Sequence, residues 1–287
     1  MPSVLSTSNM NQMSVSPKFA FFGTPAVAAT TLAHLIENDF IPTLVVTSPD
    51  APRGRGLVLT PSPTKVLALE NSIPVMTPSV LDESAIADIK KYTCEYAVVV
   101  AYGKIFPDAF FTVFPRGMLN VHYSLLPKYR GATPLETALL RGEKETGVTV
   151  QKVVCEVDAG DILAQEAIQI GAGETARTLR PRLIEMGAEL LVATLPAFER
   201  GEVRAVPQDS SRATRAYKIK KEDGLLDLAG DARENWNKYR AYADSIGTYF
   251  MKEGKRVKIT DAEFVRQPTD KFRVLRIIPE GKREQDF

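Results

Sequence analysis

The sequence predicts an α/β fold in which a parallel sheet is covered by helices on both faces. From Lys18 onward, short apolar runs alternate with helical patterns, as in chains that wind repeatedly across such a sheet. The run at residues 96–101, YAVVVA, is typical of a central strand buried on both faces. The length of 287 residues is enough for one large domain and a smaller second one.

The predicted elements follow in chain order. Residues 19–22 form the first strand, Gly23 turns the chain, and Thr24 caps a helix with Pro25 in its first turn. Residues 48–63, rich in proline and glycine, predict an unusually long loop. Further strands are expected at 41–47, 73–76, 96–101, 118–122, 148–154 and 162–170, and further helices at 82–91, 134–141 and about 175–200.

The charge pattern divides the chain in two. Residues 1–200 carry 17 basic and 20 acidic side chains, whereas residues 201–287 carry 19 and 15. We expect a disordered leader at 1–17, a catalytic domain at 18–202, a linker at 203–217 and a basic second domain at 218–287. The second domain should hold a helix near 232–242 and strands at 248–259, turning at Glu253 and Gly254, and at 272–278.

Composition excludes several classes of protein. The net charge of +1 argues against a uniformly basic nucleic-acid coat but leaves room for a local basic patch. The two cysteines, Cys94 and Cys155, have no metal-ligand spacing and cannot build a disulfide framework, so we expect no metal and a cytoplasmic location. No run is long and apolar enough to predict a membrane span.

Asn120 and His122 are the sharpest candidates for chemistry. Residues i and i+2 of a strand point to the same face, so both side chains should emerge together at the strand's carboxyl end. Ligands of open α/β sheets bind at that edge. The other histidine, His34, lies in a helical pattern and is expected to be a bystander on a helix surface.

Asp158 is the second catalytic candidate. It begins a turn between two predicted strands, and Gly160 permits that turn. Asp161 in the same loop is a rival that spacing alone does not exclude. The stretch GAGETA at residues 171–176 fits a relaxed dinucleotide-binding pattern, but it lies too late in the domain and predicts a tight turn with Thr175 capping the long helix.

Several motifs, in a fixed order, carry a resemblance to a known family. They are FGTP at 22–25, SPDAPRGRG at 48–56 with PSPTK at 61–65, NVHYSLLPKYRGA at 120–132, and DAGDIL at 158–163. Together they make the chain similar to the methionyl-tRNA formyltransferases over about residues 18–260. The resemblance implies a Rossmann-like formyltransferase domain followed by a small OB-like domain.

The resemblance also implies a reaction and its residues. The formyl group of 10-formyltetrahydrofolate would pass to the α-amino group of methionine on initiator methionyl-tRNA, with Asn120, His122 and Asp158 as the catalytic residues. The folate is implied to bind near two segments: Val99, Val100, Ala101, Tyr102 and Gly103, and Ser124, Leu125, Leu126 and Pro127. The tRNA would be contacted by Arg53, Arg55 and Lys65. A monomer is expected.

The second domain departs from the family pattern. Too few residues separate the predicted strands to hold the middle of a five-stranded barrel, so we expect a shortened, hairpin-like remnant of an OB fold. Two other functions stay open: an N-formyltransferase acting on an amino-sugar nucleotide, which would not need the Arg53 loop, and a non-catalytic RNA-binding or folate-binding module.

Overall fold

The computed structural model describes residues 17–54, 56–243, 245–266 and 268–287. The first part contains strands β1 Phe19–Gly23, β2 Leu44–Val46, β3 Ala51–Arg53, β4 Val58–Thr60, β5 Val75–Met76, β6 Tyr96–Val100, β7 Met118–His122, β8 Arg130–Gly131, β9 Glu145–Lys152 and β10 Ile162–Gln169. Its helices are α1 Ala26–Glu37, α2 Pro63–Glu70, α3 Glu83–Lys90, α4 Pro134–Leu140 and α5 Ala176–Glu199. The expected leader lies outside the described residues, except for Pro17.

The main sheet is mixed rather than wholly parallel. In the described chain its strand order is β10-β9-β7-β6-β1-β2-β5, and the five strands from β7 to β5 are parallel. The prediction was wrong for β9, which runs antiparallel to both β7 and β10, so that β10 again runs in the direction of the five parallel strands. Only residues 153–161 join β9 to β10, and a parallel crossover needs a dozen or more.

The sheet is buried on both faces. Phe21 of β1 packs in a core cluster with α1, α4 and α5 on one face. Phe22 faces the opposite way and packs with α3 and with aromatic residues that follow β6. Alternation along a strand produces these two cores. The α/β fold that the sequence predicts is confirmed. Side chains at the carboxyl ends of β6 and β7 line a cleft.

Three local predictions need correction. The residue that caps α1 is Pro25, because Thr24 lies one residue farther out, where its Oγ1 is 3.1 Å from Ser48 Oγ. The long loop after β2 contains a hairpin of β3 and β4. Helix α2 begins at Pro63 with Ser62 as its cap, although the sequence reasoning placed no helix there.

The second part is a small β-rich unit with one longer helix. It contains β11 Arg215–Ala216, α6 Ala232–Tyr242, β12 Thr248–Lys252, β13 Lys255–Val265, β14 Lys271–Pro279 and β15 Gln285–Asp286. Strands β12 to β15 form a four-stranded antiparallel sheet within the described residues, which is more than the expected hairpin. Glu253 and Gly254, both with positive φ, form the turn between β12 and β13.

Candidate active site

A cleft of about 590 Å³ opens at the carboxyl ends of β6 and β7. Its lining comes from four segments, within residues 99–106, 120–123, 131–134 and 151–158, and from Phe111. Apolar side chains such as Val99 and Phe106 form much of one wall, and polar groups are concentrated around His122. This is the edge at which open α/β sheets bind ligands.

His122 is the last residue of β7 and is only 6% exposed. Its Nε2 lies 2.9 Å from the carbonyl oxygen of Tyr129. Because a carbonyl can only accept a hydrogen bond, this contact places a proton on Nε2. Nδ1 then faces the carboxylate of Asp158, with Oδ2 3.5 Å away. The ring is therefore held at one nitrogen and available for proton exchange at the other.

Asp158 is fixed by hydrogen bonds to both carboxylate oxygens. Oδ2 accepts from the backbone N–H of Gly131 at 2.8 Å, and Oδ1 accepts from Nε2 of Gln151 at 2.9 Å. The backbone of Asp158 has a φ of 54°, in the left-handed region. Donors on both oxygens fix the plane of the carboxylate beside the imidazole.

Asn120 lies two residues before His122 on the same face of β7, and both line the cleft. The pairing with β9 sets Asn120 opposite Gln151 and His122 opposite Thr149. Strand β9 thus places polar residues beside Asn120 and His122. The structure brings Asn120, His122 and Asp158 to one cleft.

The two rival residues lie elsewhere. The carboxylate of Asp161 is 41% exposed and faces Lys152 Nζ at 4.0 Å rather than the imidazole. His34 lies on α1 with its Nε2 3.3 Å from Glu185 Oε2, in a pair at the surface of α1 and α5. Geometry therefore favours Asp158 over Asp161 and His122 over His34.

The first predicted folate segment largely faces the cleft. Four of its five residues line it: Val99, Ala101, Tyr102 and Gly103. Val100 turns the other way, into the core cluster with α1 and α5. Ala101 and Gly103 have φ values of 46° and 80°, so the chain makes a sharp turn at the cleft wall. Such a turn can present backbone polar groups to a ligand.

Tyr102 and Lys104 flank this turn. Tyr102 is 3% exposed, and its Oη has no hydrogen-bond partner within the described part of the chain. Burial raises the pKa of Tyr102 to about 12, so the hydroxyl stays protonated at neutral pH. Lys104 Nζ donates to the carbonyls of Pro78 and Ser79, and desolvation lowers its pKa.

The second predicted folate segment, Ser124 to Pro127, is a buried supporting loop. Ser124 Oγ donates to the carbonyl of Lys128 at 2.6 Å, and its own carbonyl accepts from Thr149 Oγ1 at 2.7 Å. Leu126 is 3% exposed, and its carbonyl accepts from Gln165. These contacts place Ser124, Leu125, Leu126 and Pro127 behind His122 and hold the loop that carries Tyr129.

Two of the three predicted tRNA contacts lie in the described residues, Arg53 in β3 and Lys65 in α2. Arg53 ends β3, and Arg55 lies outside the described residues. Lys65 Nζ donates to both carboxylate oxygens of Asp50, at 2.8 and 2.9 Å, so this lysine braces the base of the hairpin. Apolar side chains are exposed at Leu57, Val58 and Leu59, just before and within β4.

Sequence reasoning missed four residues that organise the site. They are Tyr129, Arg130, Gln151 and Gln208, each bonded to a catalytic candidate or to its immediate support. Gln151 carried a usable signal, since it is a polar residue within an apolar strand and is 1% exposed. Gln208 carried none, because it stands among other polar residues of the expected linker.

The described residues contain neither a metal-binding cluster nor a membrane-spanning helix. No group of three or more His, Cys, Asp or Glu in them is arranged to hold a metal ion. None of the helices in that same part of the chain is long and apolar enough to cross a membrane.

Comparison with known families supports the class of protein that this fold and site define. The formyl transferase model matches residues 17–195, and the model of the formyl transferase C-terminal domain matches residues 218–282. The chain therefore belongs to the formyl transferase family and is an enzyme of that type.

Its curated relatives narrow the class. The methionyl-tRNA formyltransferase of Sulfurihydrogenibium sp. is 39% identical, over 86% of this chain and 80% of that protein. The methionyl-tRNA formyltransferase of Geobacter sulfurreducens is 38% identical, over 92% and 84%. Among solved structures, an N-formyltransferase from Helicobacter canadensis, in complex with folinic acid and dTDP-3-aminofucose, is 19% identical with a TM-score of 0.67, over 88% and 89%. That likeness concerns the fold alone.

Proposed function

We propose that this enzyme transfers the formyl group of 10-formyltetrahydrofolate to the α-amino group of methionine on initiator methionyl-tRNA. The observation that carries the proposal is the identity of 38–41% to methionyl-tRNA formyltransferases over most of both chains. The cleft that holds Asn120, His122 and Asp158 supports the same chemistry. The proposed enzyme is a cytoplasmic monomer, in keeping with the free thiols of Cys94 and Cys155.

The residues present fit a folate as formyl donor. The apolar wall at Val99 and Phe106 suits a flat heterocycle, and the turn at Ala101 to Gly103 offers backbone groups. The buried Oη of Tyr102 has unused hydrogen-bonding capacity, again within the described residues. Folate ligands are rings with polar edges, and a site of this composition can orient one.

In the proposed reaction, the neutral amine attacks the formyl carbon and the carbonyl oxygen becomes an oxyanion. Asn120 donates a hydrogen bond to that oxyanion, and protonated His122 donates a second one from Nδ1. Asp158 stabilises the imidazolium and accepts the proton that the attacking nitrogen must lose, directly or through a water molecule. The oxyanion then re-forms the carbonyl as the carbon–nitrogen bond to the folate breaks, and the folate nitrogen takes up the proton that Asp158 had accepted. The formyl group ends on the methionine nitrogen as an amide.

The proposed tRNA-binding surface combines the hairpin of β3 and β4 with the basic second part. Arginines separated by glycine can bring forked guanidinium groups to neighbouring phosphates. The second part adds basic side chains at Lys218, Lys220, Lys221, Lys255, Arg256 and Lys258. The division at residues 202 and 218 into catalytic domain, linker and basic module belongs to the same proposal.

A transfer assay tests the function. Incubation with charged initiator tRNA and 10-formyltetrahydrofolate should yield formylmethionyl-tRNA, whereas uncharged tRNA, which lacks the amine, should take up no formyl group. Transfer to a 4-amino-sugar nucleotide, with none to methionyl-tRNA, would contradict the proposal and favour a small-molecule N-formyltransferase.

A further inference from the structure

The side chain of Gln208 lies behind Asp158 and bonds to its support. Its Nε2 donates to the backbone carbonyls of Asp158 at 2.9 Å and Gly160 at 2.7 Å, and lies 3.2 Å from Oε1 of Gln151. Its Oε1 accepts from Nε of Arg130 at 3.0 Å. One side chain from the expected linker thus ties together both ends of the turn that carries Asp158.

The contact with Arg130 fixes which atoms of the Gln208 amide donate and which accept. A guanidinium only donates, so the Arg130 contact assigns the oxygen and the nitrogen of the Gln208 amide. The amide NH2 of Gln208 must then face the two carbonyls and Oε1 of Gln151. With that oxygen occupied, Gln151 presents its own NH2 to Oδ1 of Asp158. A chain of hydrogen bonds from Arg130 through Gln208 and Gln151 therefore orients the Asp158 carboxylate.

The turn needs such a tether. Asp158 has a φ of 54°, which a residue with a Cβ adopts only when its surroundings hold it there. Gly160 lies so close to β9 that a Cβ would come within 1.9 Å of the Lys152 carbonyl oxygen. The backbone carbonyls of Asp158 and Gly160 both accept hydrogen bonds from the side-chain amide of Gln208.

Residues close to Gln208 in the chain also hold Tyr129, whose carbonyl contacts Nε2 of His122. Thr214 Oγ1 accepts from the backbone N–H of Tyr129 at 2.9 Å, and the Thr214 carbonyl accepts from Arg130 N at 2.9 Å. Strand β11 pairs with β8, which contains Gly131. The segment from Gln208 to Ala216 therefore contacts the supports of both imidazole nitrogens.

We propose that Gln208 is a positioning residue for formyl transfer, which holds Asp158 in register with His122. It touches neither substrate nor any reacting atom in this assignment and acts through the turn and through Gln151. The kinetic part of this inference rests on the proposed function, whereas the effect on His122 is independent of any substrate.

The test compares Gln208→Ala and Gln208→Glu with the surface control Gln169→Ala. Gln169 also donates from Nε2 to a carboxylate, that of Glu145, but is exposed at the far end of β10. Gln208→Glu keeps an acceptor for Arg130 and the size of the side chain while losing both donors to the turn. The readouts are kcat and KM for both substrates, the midpoint of thermal unfolding, and side-chain 15N NMR of the two histidines.

We expect both Gln208 variants to lower kcat at least tenfold with KM changed less than threefold, and Gln208→Glu to unfold within a few degrees of the parent. The His122 ring signals should move or broaden while those of His34 stay in place. Unchanged His122 signals in a folded Gln208→Glu protein would overturn the inference, as would parental kcat in that variant. If the parent lacks transfer activity altogether, the proposed function fails, and the NMR comparison still decides the role of Gln208.

Discussion

The Nε2 atom of His122 lies 2.9 Å from the carbonyl oxygen of Tyr129, so the imidazole is anchored on the side away from Asp158. This contact selects the tautomer protonated at Nε2 and leaves Nδ1 to exchange a proton. The Tyr129 backbone has a φ of 60°, and its N–H is held by Thr214. Among the described residues, His122 is the only histidine that lines the cleft, and a backbone carbonyl sets which of its nitrogens carries the proton in the neutral ring.

Replacing His122 with alanine should lower kcat by about 10²–10⁴, because it removes the imidazolium that donates to the oxyanion and that Asp158 stabilises. Binding of 10-formyltetrahydrofolate should change little, since the folate wall is built from other residues. Steady-state kinetics and a direct folate titration measure the two effects. His34→Ala is the matched control and should retain parental turnover, and a similar loss in that variant would point to a general defect.

Asp158→Asn should lower kcat by about 10²-fold or more while the fold persists, because the amide preserves the shape but cannot accept a proton or stabilise an imidazolium. Asp161→Asn, three residues away with an exposed carboxylate, should stay within a few-fold of the parent. Kinetics of the two purified variants side by side provide the check. The reverse ranking would assign the catalytic carboxylate to Asp161.

Gly131→Ala should destabilise the protein by about 2–4 kcal/mol. A Cβ there would lie 2.5 Å from the Ala216 carbonyl oxygen, and the residue has a φ of 115°. Gly201→Ala is the control, since Gly201 has a φ of 73° with open space around it and should cost about 1 kcal/mol. Denaturant unfolding compares them, and equal losses would mean that the contact with β11 adds nothing.

Arg53→Ala combined with Arg55→Ala should raise KM for methionyl-tRNA and reduce the slope of log KM against log salt by up to about 2. Folate KM should not change. Arg200→Ala serves as control, because Arg200 follows α5 and pairs with Glu202. A salt slope identical to that of the parent would remove the hairpin from the proposed tRNA surface.

Cys155 should react with iodoacetamide in the native protein, and folate should protect it, because it is exposed and lines the cleft. Burial raises the pKa of Cys94 to about 11, so at pH 8 only about one Cys94 thiol in a thousand is ionised. Cys94 should therefore react only after unfolding. Mass spectrometry of tryptic peptides distinguishes the two sites, and labelling of Cys155 that is indifferent to folate would argue for a binding site elsewhere.

The period of two along a strand was sufficient to predict that Asn120 and His122 share a face, because β7 is regular and ends at the open edge of the sheet. The sequence could not choose between Asp158 and Asp161, since both lie in one short loop. That choice depends on a left-handed φ at Asp158 and on donors from Gly131 and Gln151.

Contacts between distant segments explain what the sequence did not reveal. Gln208 is 50 residues from Asp158 in the chain, and nothing in its polar surroundings indicates the hydrogen bond between them. The connection of residues 153–161 between β9 and β10 is too short for a parallel crossover. Its length therefore predicts that these two strands run antiparallel to each other. The same loop carries Asp158, so its length matters to the site as well.

The pairing of β8 with β11 has a consequence for any attempt to separate the chemistry from tRNA recognition. A protein cut after residue 202 would retain Asn120, His122 and Asp158 but would lose Gln208, Thr214 and β11. The three side chains proposed to carry out the reaction would remain, with fewer of the contacts that align them. We therefore expect truncation after residue 202 to impair transfer even to a small acceptor that makes no contact with the basic residues of the second part.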